Sequence, residues 1–108
     1  MFSVPNEIFR IMIDKFLDYI KVEKRYSENT FISYKKDLED FLLFVSQTEG
    51  TVDLVHLDKK VIRNFIVSLS EKKLQKRSIN RKLSSLRSFY LFLLKIGEIK
   101  VSPLETIP

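Results

Sequence analysis

The sequence has no cysteine and no tryptophan, a single histidine, and only two glycines and three prolines among 108 residues. Without cysteine there can be no disulfide, no thiolate nucleophile and no cysteine-ligated zinc. The two glycines, Gly50 and Gly97, lie far apart, which excludes a Gly-rich loop cradling phosphate. The lone histidine, His56, sits in a loop-like stretch, reads as a surface residue and has no Ser/His/Asp set around it. Long apolar runs are missing too, so no segment reads as membrane-spanning. The first ten residues, "MFSVPNEIFR", carry an acid early and lack the apolar core of a signal peptide. The expectation is a cytoplasmic chain with no catalytic residues, metal ligands or cofactor of its own, and no membrane partner.

What is present is charge, unevenly spread. Residues 1–70 hold ten Lys/Arg against eleven Asp/Glu, whereas residues 71–108 hold nine against three. The whole excess of +5 therefore lies in the last third. Segregation of this kind points to a polyanionic partner, although a solvated basic helix face would read the same way.

Apolar residues recur at spacings of three and four, never two, which predicts an all-α protein of four main helices in one compact bundle. The first helix is expected after Pro5, with Asn6 as N-cap and Glu7 in the first turn. Its stripe is Ile8, Ile11, Met12, Phe16, Tyr19 and Ile20, widened by Phe9, Ile13 and Leu17. Ser27 caps a second helix over about 28–46, with a seam of Phe31, Tyr34, Leu38, Phe41 and Val45. Asp58 caps a third, to about Ser70, facing inward through Val61, Ile62, Phe65, Ile66 and Leu69. Ser78 is expected to cap a fourth that stops near Gly97. Gly50 punctuates the longest connection, and Pro103 and Pro108 mark the exit of the domain.

The fourth helix changes character along its length. On a wheel of 100° per residue, Ile79, Leu83, Leu86 and Tyr90 form one side. Arg81, Ser84, Ser85 and Ser88 lie opposite, with Asn80 and Arg87 toward an edge. Past Ser88 the outer side becomes Leu91 and Phe92. Small hydroxyl groups allow close backbone approach, and Arg and Asn reach phosphates or base edges. Ser27, Asn29, Thr30, Ser33 and Lys36 are similar groups at the start of the second helix, although Ser27 also suits a plain cap. Asp37, Glu39 and Asp40 read as a solvated acidic face.

These motifs together resemble the N-terminal core-binding, SAM-like domain of tyrosine recombinases of the Xer and phage-integrase family. The resemblance runs through "YSENTFISYKKDLEDFLLFV", "RSINRKLSSLRSFYLFLLKIGEI" and "SPLETI". The first carries Asn29, Thr30, Tyr34, Asp37 and Leu38, and the second Arg81, Leu83, Ser84, Arg87, Phe89 and Tyr90. Ser102-Pro103 stands where the family has Asn-Pro. The resemblance implies two crossed helical hairpins clamping double-stranded DNA, with the second and fourth helices toward the major groove. Carried over by position, the DNA-binding residues are Ser27, Asn29, Thr30, Ser33 and Lys36, with Arg77, Ser78, Asn80, Arg81, Ser84, Ser85 and Arg87. It also implies that residues 1–108 are a single domain, with 1–6 a tail and 103–108 the start of an interdomain linker. The catalytic domain would lie beyond it, so Tyr19, Tyr26, Tyr34 and Tyr90 are not the family's nucleophile. Other recombinase protomers would be partners of the parent protein. The alternatives are a helical protein-interaction module binding an acidic partner, and a free-standing DNA-binding regulator.

Overall fold

Four α-helices account for most of residues 5–48 and 57–105, the residues that the computed structural model describes. They are α1 (Pro5–Asp18), α2 (Glu28–Thr48), α3 (Lys59–Glu71) and α4 (Lys76–Lys95), and no strand occurs among the described residues. The all-α expectation is met. Gly50 and His56 lie outside the described residues. The chain divides into two units, residues 1–54 and 55–108, each built on a pair of helices.

In the first unit α1 packs against α2. Phe9, Met12, Ile13, Phe16, Leu17 and Ile20 are buried, a spacing of three and four that defines one helix face. The expected stripe is thus displaced: Ile8 and Ile11 are about half exposed, because the large Phe9 and Phe16 set the buried face. The helix also begins two residues earlier than an Asn6 cap implies. Pro5 takes the first helical position, where its missing N–H costs nothing, and Asn6 lies inside the first turn instead of capping it. From α2, Leu38, Phe41, Leu42 and Val45 are buried. Phe16 stacks on Tyr34 at 6.5 Å between ring centroids, and Tyr26 meets Tyr34 edge-on at 5.8 Å. Full burial of an apolar side chain such as Phe16 or Phe41 contributes about 1.5–3 kcal/mol.

α1 ends in a π-helical turn, Tyr19–Glu23. The Lys24 amide donates to the Tyr19 carbonyl and the Tyr26 amide to that of Ile20. Arg25 closes the turn with left-handed backbone, φ +54°, which costs an L-residue about 1 kcal/mol. α2 starts three residues later under a cap in which the Thr30 amide donates to Ser27 Oγ at 3.2 Å.

In the second unit α3 packs against α4. Asp58 caps α3 as expected, its carboxylate accepting from the Lys60 amide at 3.0 Å. Val61, Ile62, Phe65 and Leu69 are buried, with Ile66 half-buried. The helix finishes in a Schellman turn: the Leu74 amide donates to the Leu69 carbonyl, the Lys73 amide to that of Ser70, and Lys73 has φ +60°. Gln75 is left extended and α4 begins directly after it. Ser78 is therefore the third residue of α4 and not its cap. A second Schellman turn ends α4, with Glu98 donating to Leu93 and Gly97 at φ +81°. Beyond it Ile99, Pro103 and Leu104 are buried. A turn at Ser102 holds them, its carbonyl accepting from the Glu105 amide and its Oγ from the Leu104 amide.

Candidate nucleic-acid interface

α4 carries the larger polar face. Arg77, Asn80, Arg81 and Ser84 are exposed and Ser88 is half-exposed, all within about 60° of one line along the helix. The line continues into Leu91, 61% exposed. Buried on the other side are Leu83, Leu86, Phe89, Tyr90 and Leu93, joined by Lys82, Ser85 and Phe92. The buried arc is rotated by about 60° from the wheel drawn on Ile79, Leu83, Leu86 and Tyr90. Phe89 and Phe92, the bulkiest apolar groups off that axis, draw it round. Two expectations fail with the rotation. Phe92 is buried, and Ser85 is not on the outer face: it is fully buried, and its hydroxyl donates to the Arg81 carbonyl one turn back at 3.2 Å. Arg87 and Ser78 are half-buried.

α2 presents a narrower face. Asn29 and Lys36 are exposed and Ser33 is half-exposed on one line, with Asp40 below them. Lys36 reaches Asp40 at 3.8 Å, one turn on. Both groups are substantially exposed, so the pair contributes about 0.3–0.5 kcal/mol and yields readily to another anion. Ser27 is occupied by capping, as the plainer reading of it requires. Its hydroxyl also donates to Thr30 Oγ1 at 2.9 Å, leaving the Thr30 hydroxyl proton available to a further acceptor. Asp37 departs from the expected solvated acidic face. It is 1% exposed, displaced to the flank of the helix beside the polar line while Glu39 stays in solvent.

Cations cluster at the turn leading into each of these helices, and the candidate set overlooked them. Lys21 Nζ lies 5.5 Å from the centre of the Phe31 ring and Lys24 Nζ 6.0 Å from that of Tyr19, distances at which a ring face attracts an ammonium. Arg25 is exposed beside them, as are Lys72 and Lys73 before α4 and Lys76 at its first position. The signal is present in "KVEKRYS" and "EKKLQKR" as charge at a chain reversal. The units differ in charge: residues 55–108 hold twelve Lys/Arg against four Asp/Glu, a net of +8, and residues 1–54 hold seven against ten, a net of −3.

Among the described residues no group of three or more His, Asp or Glu side chains is placed to hold a metal ion. One cavity lies beside the tail, between Leu57, Lys59, Ile99 and Pro103, and no acid or histidine lines it. No described helix is long and apolar enough to cross a membrane.

The class these features define is a small all-α module built from helix pairs, with hydroxyl, amide and cationic side chains on the outer faces of α2 and α4. The family model of the phage integrase N-terminal SAM-like domain matches residues 13–97, and the chain belongs to that family. It is similar to the tyrosine recombinase XerC of Lacticaseibacillus casei, 37% identical over 95 residues that make up 88% of this chain and 32% of that protein. The XerC of Oceanobacillus iheyensis is 40% identical over 93 residues, 86% of this chain and 30% of its own. The XerD of Rickettsia bellii is 36% identical over 95 residues, 88% and 30% respectively. The chain thus spans about a third of the length of the curated relatives it matches. No solved structure matches it significantly.

Proposed function

We propose that this chain is the core-binding domain of a cytoplasmic tyrosine site-specific recombinase. It would hold one face of a recombination half-site while a C-terminal catalytic domain cleaves and rejoins the strands. The observation that carries the proposal is the exposed line Arg77, Asn80, Arg81 and Ser84 on the N-terminal half of α4. Two guanidinium groups one turn apart suit successive phosphates or a guanine edge, Asn80 suits an adenine edge, and Ser84 is small enough to admit the groove wall. Asn29, Thr30, Ser33 and Lys36 do the same for α2, with Lys36 exchanging Asp40 for a phosphate. In this reading the residues form a single domain. Ser85 drops out of the contact set, and Arg87 and Ser78 contribute through their exposed edges. Ile8 and Ile11 supply apolar surface for a neighbouring protomer in the assembled recombinase.

Titrating the isotope-labelled chain with a duplex of about 30 base pairs tests this by amide shift perturbation. Shifts are expected along 27–36 and 76–84 and not along 90–95; shifts confined to other surfaces would refute it. The second reading, an acidic polypeptide partner, draws on one observation: the polar line of α4 ends in the exposed Leu91, which suits an apolar side chain better than a phosphate.

A further inference from the structure

Among the described residues three have left-handed backbone, Arg25, Lys73 and Gly97, and each closes the end of a helical segment. Glycine is the residue this conformation favours, since it has no Cβ to clash. Gly97 follows that rule, at the end of α4. The two positions that break it both carry a cation, and both stand directly before a helix of the candidate interface. The helix macrodipole accounts for a cation near a helix C-terminus, but Lys24 and Lys72 already supply one, a residue earlier and without left-handed backbone. The dipole therefore leaves the cations at Arg25 and Lys73 unexplained.

Their surroundings point outward. Both side chains are exposed, and neither has an ion-pair partner among the described residues. Beside Arg25, Lys21 and Lys24 lie against aromatic rings, so Arg25 is the cation of that turn not engaged in this way. The first unit has a net charge of −3, and Glu23 and Glu28 flank the turn. The start of α2 can approach a polyanion only where local cations outweigh those acids.

We propose that Arg25 and Lys73 are phosphate anchors, each gripping a backbone phosphate beside the stretch of duplex met by the helix that follows it. This inference rests on the duplex-binding reading above. Arg25 offers a forked guanidinium that can hold two phosphate oxygens, and Lys73 a point charge. Neither reads sequence. They add two contacts to the ends of the α2 and α4 faces and fix how far each helix reaches into the groove.

Arg25→Gly and Lys73→Gly test the proposal, because glycine removes the charge and suits the backbone. Each variant, and the pair, is titrated against a fluorescently labelled mixed-sequence duplex of about 30 base pairs across a salt series, alongside a thermal melt. The expected result is a melting temperature at or above that of the wild type. Affinity should fall roughly fivefold per anchor at 0.15 M salt, and the slope of log K against log salt should be shallower by about 0.9 per anchor. Wild-type affinity and slope in the glycine variants, with the wild type itself binding, would overturn this inference and leave the duplex reading standing. A wild type that binds no duplex even at low salt would sink both. If glycine loosens a turn, Arg25→Asn and Lys73→Asn, which tolerate left-handed backbone, give the same readout in a folded chain. Unchanged binding there overturns the proposal equally.

Discussion

Ser27 and Thr30 are joined twice: the Thr30 amide donates to Ser27 Oγ at 3.2 Å, and the Ser27 hydroxyl donates to Thr30 Oγ1 at 2.9 Å. This pair fixes where α2 begins and so where its outer face starts. Ser27→Ala should cost about 1 kcal/mol, the usual loss of an N-cap, read as a lower urea midpoint with an unchanged m-value. Ser27→Asp keeps an acceptor for the cap but places a negative charge at the same spot. Its stability should stay near that of the wild type while duplex affinity falls. A parallel loss of both would show that the cap and not the charge matters to binding.

Arg81 lies at the centre of the exposed line on α4. Arg81→Ala leaves the Ser85 hydrogen bond in place, because the carbonyl that accepts from Ser85 belongs to the backbone. Duplex affinity should drop by at least the roughly fivefold expected of one lost phosphate contact at 0.15 M salt, and by more if Arg81 reads a base. Anisotropy titrations against matched and mixed-sequence duplexes separate the two cases. A variant that binds like the wild type places the contact face elsewhere.

Ser84 and Ser85 are neighbours in sequence with opposite surroundings, one in solvent and one fully buried. Ser84→Glu should be nearly neutral for stability, within about 0.5 kcal/mol, and should weaken duplex binding by like-charge repulsion. Ser85→Glu buries an ionisable group in a site shaped for a hydroxyl and should cost several kcal/mol. Circular dichroism melts of the two variants should therefore diverge widely, and similar melts would contradict the rotation assigned to α4.

The core of the second unit extends past its last helix. Leu86→Ala, inside α4, should cost about 2–5 kcal/mol as a large-to-small truncation. Leu104, 3% exposed in the tail, should behave in the same way despite lying beyond any helix. Denaturant unfolding of Leu104→Ala checks this, and a loss below about 0.5 kcal/mol would mean that the tail is not part of the folded unit.

Helix positions were readable because apolar spacing and caps agree: Asp58, Ser27 and Gly97 mark their helix ends as expected. Rotation was harder. A wheel treats Ile79 and Phe89 as equals, but burial follows the larger side chain, and the error displaced Ser85 and Phe92. Asp37 escaped for a related reason, since a carboxylate among acids looks solvated until the packing beside it is known. Ser78 reads as a cap because serine so often is one. A Schellman turn at Lys73 set the start of α4 three residues earlier, and that turn lacks the glycine that usually reveals it. The same missing glycine hid the cations at Arg25 and Lys73.

The most direct test of the account is a titration of this chain against a labelled duplex of about 30 base pairs from low to moderate salt, with polyglutamate as competitor. The account predicts saturable binding whose log K falls linearly with log salt, in proportion to the phosphates contacted, and which polyglutamate fails to match at equal charge concentration. Binding to polyglutamate as tight as to duplex, or no duplex binding at the lowest salt, would contradict it and assign the basic face of α4 to a protein partner.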